Sequence, residues 1–119
     1  MMAHGTIGTA IHELRHRVEG IAVAFVSCDG ELLFSDAPGF DHLETFAVMC
    51  ATVLGAAGAA AVEMNRSPPD RVLLEGPDAW AAVVRSGAKA FLVAVLEPTA
   101  DRARVLEAAG RLAEALRVD

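Results

Sequence analysis

The chain has 119 residues, 54% of them hydrophobic, with 16 acidic and 10 basic residues giving a formal net charge of −6. That length fits one domain with a real core, spanning 1–119, and leaves no room for a second. The basic residues are scattered singly, so no stripe exists to follow a phosphate backbone and nucleic acid is excluded as the expected partner.

The N-terminal stretch Met1 to Val18 carries His4, His12, Glu13, Arg15, His16 and Arg17. It lacks the apolar run of about 7–15 residues that a secretory signal needs, and Cys28 and Cys50 form neither a disulfide framework nor a metal spacing. A cytoplasmic protein with reduced thiols is expected. Within this stretch Ile7, Ile11, Leu14 and Val18 recur at helical spacing and predict a short amphipathic helix ended by Gly20. Ile21 to Ser27 and Leu32 to Ser35 are β-prone runs separated by Cys28-Asp29-Gly30-Glu31, and Asp-Gly between such runs is a strong hairpin signal.

Asp36-Ala37-Pro38-Gly39 then breaks the chain. Asp41 and Glu44 have the spacing of a capping box opening a long helix to about Asn65, with Ser67-Pro68-Pro69 stopping it. Thr45 to Val62 within this helix is an uncharged run of eighteen residues, nine of them Ala or Gly. A transmembrane span needs roughly 20 strongly apolar residues; here Ala and Gly dilute the hydrophobicity and Glu44 and Glu63 sit at the ends. No membrane span is expected, and the run reads as an interior or interface helix.

Arg71 to Glu75, Trp80 to Arg85 and Ala90 to Leu96 predict three strands, joined by Gly76-Pro77-Asp78 and Ser86-Gly87 in an antiparallel meander. Pro98 and Thr99 open a last helix running to about Arg117. Its Val105, Ala109, Leu112 and Leu116 face inward, and Glu107 with Arg111 form an outer i,i+4 pair. The whole is an α+β pattern: a five-stranded antiparallel sheet with the long helix on one face and the terminal helices on the other. The fifth strand is apolar on both faces and should be central.

The stretch from Gly20 to Val26, followed by Asp29-Gly30 and Leu32-Leu33, resembles the first hairpin of the roadblock family, the dynein-light-chain-like regulators of small GTPases. The Ala-rich helix, Arg71 to Gly76, Ala90 to Val95 and the final amphipathic helix continue the resemblance over nearly the whole chain from about Ile7, with departures at Trp80 and at Pro68-Pro69. Longin and profilin-like domains share parts of the pattern. The resemblance implies a dimer formed through the long helix and an edge strand, binding a Ras-like GTPase and altering its nucleotide cycle or location, with no active site and no cofactor of its own. The alternative is a small-molecule sensor of profilin or PAS-like kind, its pocket lying between the sheet and the long helix.

His12-Glu13-Leu14-Arg15-His16 matches H-E-x-x-H, in which two histidines on one helical face hold zinc and the Glu acts as base. At about 100° per residue the two histidines fall opposite the apolar face, and the extended signature fails because Glu19 and Ala22 stand where Gly and His are required. A third ligand would have to come from His42 or Glu44. Two exposed histidines, and no metal ligand, are therefore expected. Asp29, Glu31 and Asp36 near the first hairpin read as a solvated turn, Cys28 as an inert thiol, and Trp80 as the anchor of a strand.

The long helix is expected to divide into two faces. Phe46, Met49, Val53, Ala60 and Met64 form the bulky line assigned to the sheet. Ala47, Ala51, Gly55, Gly58 and Val62 form the small line assigned to the same helix of a second copy, where missing side chains let backbones approach. Val72 and Leu74, in a short strand without a Pro or Lys gatekeeper, are assigned to the same homodimer interface.

Overall fold

The computed structural model describes residues 4–119; Met1 to Ala3, at the start of the stretch that lacks a signal-type core, lie outside the described residues. The elements run α1 His4–Arg17, β1 Ala22–Ser27, β2 Leu32–Asp36, α2 Leu43–Glu63, β3 Arg71–Glu75, β4 Trp80–Arg85, β5 Ala90–Leu96 and α3 Arg102–Leu116. All five strands join one sheet in the order β2-β1-β5-β4-β3, every neighbouring pair antiparallel. β5 is buried along its whole length and lies in the middle, as its two apolar faces require.

The two faces of the sheet carry unequal layers. On one, Ile11 and Leu14 of α1 and Val105, Ala109 and Leu116 of α3 meet Phe25, Leu92 and Leu96 of the sheet. On the other, only Ala47, Cys50, Leu54 and Ala61 of α2 are fully buried, against Val26, Val83, Phe91 and Val93.

Local signals set most element ends, with three differences from expectation. The Asp41/Glu44 capping box does not form: the N-cap of α2 is His42, left-handed at φ 59°, with no side-chain cap bond. The Phe40 and Phe46 rings, 5.2 Å apart, seat this end of the helix instead, a hydrophobic clamp in place of a polar one. α3 begins at Arg102 rather than at Pro98, because the Asp101 carboxylate accepts a hydrogen bond from the Arg104 amide and caps the helix there. The left-handed residue closing α1 is Glu19 at φ 53°, not Gly20. The Gly20 amide donates to the Arg15 carbonyl and the Glu19 amide to that of His16, a Schellman closure. Asn65 closes α2 in the same way. Pro68 then lies against Gly58, so the double proline fits beside the helix it follows.

The C-terminal residues are tied down as well. Val118 exchanges backbone hydrogen bonds with Ser86 and Lys89 at the β4–β5 turn, and the buried Ser86 hydroxyl donates to the Ala113 carbonyl at 2.6 Å. Gly87, at φ 78°, is required there: a Cβ would sit 2.4 Å from the Val118 carbonyl oxygen.

Candidate functional site

α2 spends one line of side chains on the sheet and leaves an uncharged face outside. Its buried line is Ala47, Cys50, Leu54 and Ala61, which corrects the expected division of faces. Met49 is 53% exposed and Met64 64%, and Ala60 is exposed, so of the bulky line Phe46 alone packs against the sheet-side core, and Ala47, assigned to the dimer interface, is fully buried beneath the helix. α2 is apolar nearly all round, so side-chain size carried no angular information; the most burial-prone types, Cys50 and Leu54, mark the true inner line. Ala51 and Gly58 flank that line half-buried, while Gly55 and Val62 are exposed.

The outward face contains Val48, Thr52, Gly55, Ala59 and Val62, spaced alternately four and three residues apart. At about 100° per residue these five fall within roughly 80° of arc, the width of a helix-packing seam. Val48 is 44% exposed and Val62 61%. Nothing lies within 4 Å of where a Cβ on Gly55 would stand, so the middle of the seam is open. α2 is also long enough and apolar enough to cross a bilayer by length and composition, yet its inner line is committed to the sheet.

α2 also packs against the open edge of the sheet. β3 is the last strand of the sheet, with Val72 and Leu74 half-buried on the α2 side and Leu73 on the other. Past its end, Phe46, Leu74, Ala79, Trp80 and Val95 line a shallow, mostly apolar depression of about 410 Å³. Trp80 itself is buried, with the Arg102 guanidinium 4.9 Å above its ring and paired to Glu75, which matches the anchoring role expected of it.

On the far side of the sheet, α1 and β2 bring polar groups together. Asp36 leaves the company of Asp29 and Glu31 and turns to α1, where its Oδ2 accepts from Arg15 Nε at 2.7 Å and lies 2.7 Å from His12 Nδ1. Burial pushes the Asp36 carboxyl up, but the hydrogen bonds and charges of Arg15 and His12 outweigh it and hold the group below its ordinary value. His12 and His16 are exposed, as expected, with ring centroids 4.3 Å apart. The partner missed from the sequence is Asp36, 24 residues from His12 and joined to it only by the pairing of α1 with the first hairpin. Glu13 lies on the opposite flank of α1, lining a depression with Arg17, Arg111 and Leu112.

The thiols differ sharply. Cys50 is buried under α2, and desolvation raises its pKa to about 11. Cys28 is half-buried at the hairpin turn, its Sγ 3.7 Å from the Ala88 carbonyl. Both are free.

A five-stranded antiparallel sheet with one long helix on one face, two terminal helices on the other and an open β3 edge is the roadblock fold. Solved structures agree. The chain is similar to MglB in a tetrameric arrangement (22% identity, 98% of this chain and 90% of that one, TM-score 0.89), to the gliding protein MglB of Thermus thermophilus (22%, 98% and 90%, 0.87) and to a Roadblock/LC7 domain of Streptomyces avermitilis (17%, 91% and 92%, 0.84). Profilin II of Acanthamoeba castellanii is similar at a TM-score of 0.67, 18% identity, and 91% and 94% coverage. No family model and no curated protein matches the sequence.

Proposed function

We propose that the chain is a non-catalytic, cytoplasmic regulator or adaptor that works as a homodimer and binds a small Ras-like GTPase, modulating its nucleotide cycle or location by shape. The observation that carries this reading is the uncharged outer seam of α2, a helix that packs against the edge strand β3, in a fold shared with MglB and Roadblock/LC7 structures. In the dimer the seam Val48, Thr52, Gly55, Ala59 and Val62 crosses its own copy, with Ala51 and Gly58 at its border and Val72 and Leu74 brought together along the edge strands. Two-fold pairing then presents one composite surface to the GTPase.

The sensor alternative receives less support. Beside Ala51, Leu54, Gly55, Cys28 and Ala88 the hollow under α2 is about 150 Å³, below the ~300–1,000 Å³ of ordinary ligand sites, and the larger depression of about 410 Å³ at Phe46, Leu74 and Trp80 is shallow and open rather than enclosing. The test is to express the Ras-like GTPases of the same genome and measure GTP hydrolysis and nucleotide release with and without this protein. A several-fold change in either rate, or complex formation selective for one nucleotide state, is expected for at least one of them. A dimer that leaves every rate unchanged and binds none of them in either state would overturn the proposal.

A further inference from the structure

We propose that His12, His16 and Asp36 form a binding site for one divalent transition-metal ion of the zinc type, which ties α1 to the edge strand β2. The two histidines stand four residues apart on α1, so their rings project from neighbouring turns of one face. Asp36, the last residue of β2, brings a carboxylate to the same place. One ligand atom from each residue lies within 4.8 Å of the other two. In a tetrahedral site with bonds of about 2.0–2.1 Å, ligand atoms stand roughly 3.4 Å apart, so small side-chain rotations in two exposed rings close the gap.

The surroundings suit a carboxylate ligand. Arg15 Nε holds Asp36 Oδ2, and its guanidinium also donates to the Gly20 carbonyl and comes within 3.5 Å of His16 Nε2. A carboxylate has two oxygens and lone pairs to spare, so the ion binds one while Arg15 keeps the other, the outer-shell bracing that metal-binding carboxylates use. Two imidazoles and one carboxylate favour zinc, nickel, cobalt or copper over the harder magnesium and calcium. The nearby guanidinium repels a cation and weakens the site. Glu13, the base of the H-E-x-x-H reading, faces the α3 side of the helix, so the ion serves as a staple. The site sits at the β2 end of the sheet, across three strands from β3, and its loading is separable from dimer formation.

The experiment uses untagged, chelator-stripped protein titrated with zinc in a calorimeter, with cobalt as a spectroscopic probe and magnesium and calcium as controls. Binding of one zinc per chain, visible cobalt absorption of a nitrogen–oxygen site and a rise in Tm on loading are expected. His16→Ala and Asp36→Asn should each weaken zinc by at least roughly tenfold, while His42→Ala, at the N-cap of α2 and outside the cluster, leaves it unchanged. If Asp36→Asn fails to fold, His16→Ala and the cobalt spectrum decide. The proposal is overturned if the wild-type protein binds no zinc, or if His16→Ala binds it as tightly as the wild type does. Weakening by His16→Ala but not by a folded Asp36→Asn would also overturn it, by reducing the site to a surface histidine pair.

Discussion

Gly55→Glu separates the fold from the assembly, because Gly55 is surrounded by open space in the single chain. No heavy atom lies within 4 Å of the new Cβ, so the substitution meets no steric obstacle. Replacing a mid-helix glycine with a good helix former stabilises α2 by about 0.5–1 kcal/mol. In the proposed dimer the same carboxylate falls at the crossing of two helices, unpaired and out of water. An uncompensated buried charge costs about 3–5 kcal/mol, and two-fold symmetry places one on each side. The lower bound of roughly 6 kcal/mol corresponds to about a 10⁴-fold weaker Kd. Size-exclusion chromatography with light scattering, run across a dilution series, should show a wild-type dimer and a monomeric variant with unchanged far-UV circular dichroism. A Gly55→Glu protein that remains the wild-type dimer, or a wild type that is monomeric at every concentration, would refute the assignment of the seam.

Four further outcomes test the fold itself. Cys28 should react with a maleimide at pH 8 while Cys50 stays protected until the protein unfolds, read by intact-mass spectrometry. Because the Cys50 pKa is raised in the folded state, from 9.0 to about 11, its contribution is complete below pH 9 and disappears as pH rises towards 11. Up to roughly 2 kcal/mol is lost over that window, and Cys50→Ala should flatten this part of a urea-unfolding series against pH. Glu19→Gly should raise stability by about 0.5–1 kcal/mol, since glycine takes the left-handed closure of α1 without a Cβ penalty; an unchanged or lowered urea midpoint would contradict it. Gly87→Ala, which drives a methyl into the Val118 backbone at a positive φ, should cost roughly 1–3 kcal/mol and release the Val118 and Lys89 amides to hydrogen exchange.

The strands were legible because their signals are local: Asp29-Gly30 between apolar runs fixes the first hairpin, and a run apolar on both faces makes β5 central. The rotation of α2 was not. In a helix where Ala, Gly and Val occupy every side, periodicity points nowhere, and the inner line follows from which residues fit under the helix against Val83, Phe91 and Val93. Helix starts failed for a related reason. Asp41 looks like a cap and Pro98-Thr99 like a helix opening in isolation, but ring packing at Phe40 and the carboxylate of Asp101 decided the registers. The His12–Asp36 pairing depends on tertiary contact between α1 and β2, which no spacing encodes.

The unequal layers have a consequence for motion. The fully buried anchors of α2 are three small side chains and one leucine, with Phe46 and Ala51 half-buried beside them, so in a lone chain it is the layer expected to open first, before the α1–α3 side with its larger anchors. A second copy covering the outer seam would add apolar contact to this thin layer alone and close those openings. Association and the order of α2 are then linked: the helix records, in its own protection against exchange, whether a partner is present.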